Sequence, residues 1–180
     1  VGSHMPIHEI GEIVAQSNAW FHTDAVQAYG ITEIDVKRDQ IDLLSTTAHK
    51  LNGPKMVGFL YERAGLELES LILGGDQELK RRAGTENIAG IAGFAKAIEL
   101  EQNERELLQE RYQSFKTHLI TRLRQKGVDF EVNGKHGADE LPQVISLWFK
   151  GCASDALLTN LDLAGIAAAA GSACTAGSLE

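Results

Sequence analysis

Ala48-His49-Lys50-Leu51-Asn52-Gly53-Pro54-Lys55 is a polar turn, punctuated by Gly-Pro, between two strand-like runs at 42–47 and 56–61. A third run, 20–26, is a short apolar strand ending in polar residues. Pro6 opens a helical pattern before it, with Ile7, Ile10, Ile13 and Val14 on one face. Strands alternating with helices predict an α/β protein with a parallel or mixed sheet and functional groups at strand ends.

From Asn87 onward the pattern is helical. Ile88, Ile91 and Phe94 recur at threes, then Leu108, Tyr112, Phe115, Leu119 and Leu123 at threes and fours. The charged run 99–111 between them reads as a solvated helix face. Beyond Gly127, strands are expected at 128–132 and 144–149, a helix at 153–163, and a short strand at 166–169. A domain boundary is placed near residue 100, dividing the chain into 1–100 and 101–180.

The chain has 180 residues, enough for a substantial core, and a net charge of −8. That charge disfavours a nucleic-acid surface and suits a cytoplasmic protein that meets small molecules or basic protein patches. No apolar stretch is long enough to span a bilayer, and the first residues show no leader pattern. Two cysteines, Cys152 and Cys174, are too few for a disulfide framework.

Four places carry candidate chemistry. Lys50, in a turn after a strand, can condense with an aldehyde cofactor; an ordinary surface lysine is the alternative. Asp24, at the end of a strand, can pair with a cofactor's ring nitrogen or simply cap a turn, and Gln27 can bond a ring oxygen. Thr85, in Arg82-Ala83-Gly84-Thr85-Glu86-Asn87, offers a phosphate site or a helix N-cap. Cys174, in Gly171-Ser172-Ala173-Cys174-Thr175-Ala176-Gly177-Ser178, lies among small residues that suit an accessible, mobile thiol. Cys152 follows an apolar run and reads as a buried structural thiol.

Taken in order, His-x-Asp-Ala-x-Gln, Ala-His-Lys-x-x-Gly-Pro-Lys, Arg-x-Gly-Thr and Gly-Ser-Ala-Cys-Thr resemble the cysteine desulfurases among fold-type I pyridoxal phosphate (PLP) enzymes. The likeness covers essentially the whole chain and is to the NifS/IscS-like branch with a small-residue catalytic loop. It implies part of the large PLP-binding domain over 1–100 and part of a smaller α+β C-terminal domain over 101–180. It further implies that Lys50 holds PLP covalently, Asp24 faces the pyridine nitrogen and Gln27 contacts the ring oxygen. Thr47, Ala48 and His49 would line the phosphate. Thr85 would reach the phosphate bound by a neighbouring subunit, making a homodimer, and Cys174 would attack the substrate sulfur.

The activity so implied converts L-cysteine to L-alanine and passes sulfur to an acceptor such as an iron–sulfur scaffold or a tRNA-thiolation protein. No resident metal is expected; a transient iron–sulfur contact at Cys174 is the one metal role left open. Selenocysteine lyase or aminotransferase activity and a non-catalytic interaction module are the alternatives. The opening Val1-Gly2-Ser3-His4-Met5 resembles an expression scar, but the family's Asn-Asn-Glu-(Ile or Val)-Gly motif would end in register at Val1-Gly2, which favours Gly-Ser-His-Met as native sequence. Other family groups, including a substrate-carboxylate arginine, fall outside Val1–Glu180. The chain is therefore expected to be a poorly active fragment with uncovered apolar surface. Met56 stands where the family commonly has glycine, which puts the turn geometry there in question.

Overall fold

The computed structural model describes residues 1–134, 137 and 140–171. Helix α1 (Ile7–Val14) begins after Pro6 and turns Ile7, Ile10 and Val14 onto a core of Phe21, Ala25, Ile41 and Leu44. Ile13, expected on that face, is exposed instead. At 3.6 residues per turn it lies beside the stripe that Ile7, Ile10 and Val14 form.

Strands β1 (His22–Asp24), β2 (Leu43–Thr47) and β3 (Gly58–Glu62) form a mixed sheet in that order. The β1–β2 pair is parallel, with Asp24 opposite Ser45, and the β2–β3 pair is antiparallel, with Thr47 opposite Gly58. Alternation sends Leu44 and Thr46 into the core and Ser45 and Thr47 to the other face. Strand β1 is shorter than the expected 20–26. Its last carboxylate accepts a hydrogen bond from the Val26 amide (2.9 Å), and Ala28 and Tyr29 turn back onto the Ala25 carbonyl.

Strand β3 starts two residues later than expected because Met56 has φ +65°. This left-handed conformation explains why glycine suits the position, since a side chain there costs energy and Gly does not. Between β2 and β3 the polar turn contains a 3₁₀ turn, Ala48–Leu51, ended by left-handed Asn52. Ala48 and Leu51 are buried against Phe94 and Ala97 of α2 (Ile88–Gln125). The close approach needs Gly93: a Cβ there would sit 2.6 Å from Pro54 Cγ.

Helix α2 runs 38 residues without a break, so residue 100 falls inside it. Asn87, not Thr85, caps it, its Oδ1 accepting from the Gly90 amide at 3.0 Å. Two charged residues of α2 are buried, one of them inside the run 99–111 expected to be solvated. Glu101 is buried within the charged run, where α2 crosses Gly30, and Lys116 is buried further along. Burial, with Glu104 adding repulsion, raises the Glu101 carboxyl above its usual range. Its protonated form is therefore favoured by folding, and ionisation as pH rises costs stability. Glu101→Gln is expected to stabilise the fold at neutral pH by roughly 1 kcal/mol, with no gain at low pH. Urea unfolding at two pH values checks this; a loss of stability at pH 7 would show that the carboxylate is needed.

A second, two-stranded antiparallel sheet pairs β4 (Phe130–Val132) with β5 (Leu147–Phe149), and α3 (Ser154–Leu163) follows. Both strands are shorter than expected, and 166–169 is not a strand. The Ile166 amide instead bonds the Leu161 carbonyl (2.8 Å), closing the end of α3. The chain's first residues join this region: Ser3 bridges Glu140, and the Leu141 amide donates to the Gly2 carbonyl at 2.7 Å. Among the described residues, no helix is long and apolar enough to cross a membrane.

Candidate functional site

Asp24 and Lys50 follow from neighbouring parallel strands. Asp24 closes β1, and Lys50 stands in the 3₁₀ turn that directly follows β2, so both sit at carboxyl ends of a parallel pair. That edge is where α/β sheets collect ligands, because strand ends splay and connections leave a crevice. The sheet face shared by His22, Asp24, Ser45 and Thr47 also carries Leu43 opposite His22, and it is polar toward its carboxyl end. His22 Nε2 lies 3.1 Å from Ser45 Oγ, which ties the two strands on this face. The sequence reading assigned no role to His22 or Ser45. The two-residue repeat from Asp24 back to His22 was the available signal; the pairing with Ser45 was not.

Each candidate has a definite setting. One Asp24 oxygen is used by the Val26 amide, and Asp24 is exposed with no ion pair among the described residues. Lys50 is exposed and likewise carries no ion pair among them. The backbone beneath it is pinned, since Ala48 is fully buried, Leu51 nearly so, and the Gly53 amide donates to the Ala48 carbonyl at 3.0 Å. The amine is therefore free while its root is fixed.

Thr47 Oγ1 donates to the Val57 carbonyl at 3.2 Å and lies 2.9 Å from His49 Nδ1. Both contacts are satisfied together when His49 Nδ1 donates to Oγ1; an anion here would take the Thr47 hydroxyl proton in place of the Val57 carbonyl. The Ala48 amide is already bonded to the Val57 carbonyl (3.0 Å), so it adds no free donor to an anion site. Thr85 is exposed, and no hydrogen bond joins it to the Asp24–Lys50 group among the described residues. Cys174, with the mobility expected of 172–178 and the iron–sulfur contact, lies outside the described residues.

Cys152 corrects an expectation: it is exposed rather than buried. It lies just past the turn that ends β5, its amide bonded back to the Phe149 carbonyl (3.4 Å), so the apolar run before it does not carry it inward. Asp24 and Gln27 also line a cavity of about 360 Å³ that reaches His4, His8 and Arg38, but Lys50, Thr47 and His49 lie outside it. A larger open groove, about 930 Å³ along α2 between Thr32 and Pro142, holds none of the candidates.

The donor set fits PLP: an unpaired amine for the aldehyde, a carboxylate for the ring nitrogen, and a hydroxyl–imidazole pair for phosphate oxygens. Among the described residues no group of three or more metal-ligating side chains is assembled.

The aminotransferase class-V family profile matches residues 1–180. A Bacillus subtilis protein named putative cysteine desulfurase IscS 1 is 55% identical over 179 residues, which cover 99% of this chain and 47% of that protein. Cysteine desulfurase IscS of Clostridium botulinum is 44% identical over 181 residues, covering all of this chain and 46% of its own length. A NifS-like protein of known structure superposes with a TM-score of 0.88 at 31% identity, over 95% of this chain and 47% of its own. The fold is therefore the α/β fold of NifS-like, fold-type I enzymes. The chain spans about half the length of the relatives it matches.

Proposed function

The chain belongs to the aminotransferase class-V family, and on that premise we propose that the intact protein is a PLP-dependent cysteine desulfurase. The observation that carries the cofactor reading is the placement of Asp24 and Lys50 at the carboxyl ends of adjacent parallel strands. Similarity to proteins named cysteine desulfurase supports the choice of reaction.

PLP, when bound, supplies an electron sink for the charge left by loss of the substrate α-proton. Lys50 Nζ would anchor the cofactor and, as a free amine, would take the proton from the substrate Cα. The Asp24 carboxylate holds the ring nitrogen's proton in place, and Gln27 orients the ring oxygen. Thr47 and His49 bind phosphate oxygens, and Thr85 serves the phosphate of a second subunit in a homodimer. The Cys174 thiolate attacks the substrate sulfur and the C–S bond breaks. The bond's electrons stay with carbon, which would take back the Lys50 proton and the substrate thiol's proton to leave as L-alanine, and the sulfur would stay on Cys174 as a persulfide anion. A basic or thiol-bearing acceptor in the cytoplasm, such as an iron–sulfur scaffold or a tRNA-thiolation protein, takes that sulfur. Residues 1–100 act as part of the cofactor domain and 101–180 as part of the domain bearing the thiol.

The test is the intact protein with PLP, L-cysteine and a reducing thiol, measuring alanine and sulfide. Cys174→Ser should retain the cofactor absorbance and lose at least ~10²-fold in both products, the scale of removing an activated nucleophile or its base. Unchanged turnover in Cys174→Ser would point to an aminotransferase-like reaction. No cofactor absorbance in the wild type would favour a non-catalytic module.

A further inference from the structure

Gln143 makes one long-range contact that the reaction scheme above does not use. Its Nε2 donates to the backbone carbonyl of Gln27 at 2.7 Å, across 116 residues of sequence. Only the nitrogen of the amide can donate to a carbonyl, so this contact fixes the amide's orientation. The neighbouring carbonyls of the turn are served locally. Ala25 O accepts from the Ala28 and Tyr29 amides (3.0 and 2.8 Å), and Ala28 O from the Ile31 and Thr32 amides (3.1 and 2.9 Å). No backbone amide among the described residues reaches Gln27 O.

The other end of the Gln143 amide carries the second observation. Its Oε1 is buried and has no hydrogen-bond partner among the described residues. An apolar side chain would fill the same space without stranding this acceptor, so what the amide contributes here is its bond to the Gln27 carbonyl. The base from which Gln143 reaches is firm. Leu141 is buried, its amide is bonded to Gly2 O (2.7 Å), and its carbonyl accepts from Lys116 Nζ (3.1 Å).

We propose that Gln143 is a positioning residue: by holding the Gln27 carbonyl, it sets the turn that aims Asp24 and Gln27 at the cofactor ring. This rests on the PLP reading of the site. The turn begins at the Asp24 carboxylate, which itself accepts from Val26 (2.9 Å), so rotation of the Gln27 peptide is transmitted to both side chains. Gln143 also precedes β5 and α3, which lead to the Cys174 segment. The contact therefore links the cofactor turn to the part of the chain that carries the thiol.

The experiment uses the intact protein, its Gln143→Met variant, which keeps the length without donor or acceptor, and Gln143→Glu, which sets a carboxylate against the carbonyl. Three quantities are measured: the PLP dissociation constant, the pH midpoint of the cofactor's visible band, and the thermal midpoint of the apoprotein. Gln143→Met is expected to bind PLP roughly tenfold more weakly, the effect of one lost hydrogen bond, with a displaced band midpoint. Its apoprotein should change little in stability, because the stranded oxygen is gone and the Gln27 carbonyl, at an exposed contact, turns to water. Gln143→Glu should bind PLP more weakly still. Wild-type PLP affinity and band midpoint in Gln143→Met would overturn the proposal, whatever the stability. If that variant does not fold, Gln143→Glu decides on the same two cofactor readouts. A wild type that forms no cofactor band overturns the PLP reading itself, and this inference with it.

Discussion

Lys50→Ala in the intact protein is expected to abolish covalent capture of PLP and to lower desulfurase turnover by at least ~10²–10⁴-fold, the range for loss of a positioned acid–base group. Wild-type protein treated with PLP and borohydride should carry the reduced cofactor on the peptide containing Lys50. The variant should carry none. Stability should barely move. Lys50 is exposed and makes no ion pair among the described residues, while the residues that fix its backbone, Ala48 and Leu51, are buried. Substitutions at such surface positions usually stay within about ±0.5 kcal/mol. Loss of function without loss of fold separates a reacting amine from a structural one. Cofactor mapped to Lys55 or Lys37 instead would remove Lys50 from the role.

The second large effect concerns the fold. Lys116 Nζ pairs with Glu140 Oε1 at 2.7 Å and donates to Leu141 O at 3.1 Å; the Lys116 side chain is 4% exposed and that of Glu140 11%. Lys116→Met keeps most of the packing stem but strands a buried carboxylate and a carbonyl. Breaking one side of such a pair costs about 3–5 kcal/mol. Removing both charges, as in Lys116→Met with Glu140→Leu, should recover most of that, since the pair's attraction mainly offsets its own desolvation. The surface pair Lys96–Glu99, at 2.8 Å with side chains 58% and 60% exposed, is the control. Lys96→Met should cost no more than about 0.5 kcal/mol, because water screens that pair. Denaturant unfolding of the four proteins measures all of this. A cost below about 1 kcal/mol for Lys116→Met would mean that water reaches Glu140.

The consequence would reach the site. Glu140 bridges Ser3, Leu141 holds Gly2, and Gln143 follows two residues on, so loosening Lys116 loosens the base from which Gln143 reaches Gln27. Lys116→Met is therefore expected to weaken PLP binding as well as the fold. Gln143→Met should weaken only the former.

What the sequence determined by itself is local. The Gly53-Pro54 punctuation after 42–47 marks a turn that must interrupt a strand, and it places Lys50 at a strand end whatever surrounds it. The run before Asp24 does the same for the carboxylate, and the helical spacing from Ile88 specifies α2. These follow from backbone geometry and from the two- and 3.6-residue repeats, which a chain carries in its own order. The order of the four motifs carries the family.

Only the tertiary structure decided what covers each face and which strands pair. The spacing around Glu101 and Lys116 says that they are charged and helical; it cannot say that Gly30 or Glu140 comes to lie against them. The run 144–149 suggests that Cys152 turns inward, but it follows the turn that ends β5 and is exposed. The antiparallel β2–β3 pairing and the contact between Gln143 and Gln27 are equally invisible in one dimension. A periodic pattern records which side of an element avoids water, whereas a partner's identity is set by chain segments far away in sequence that meet only on folding.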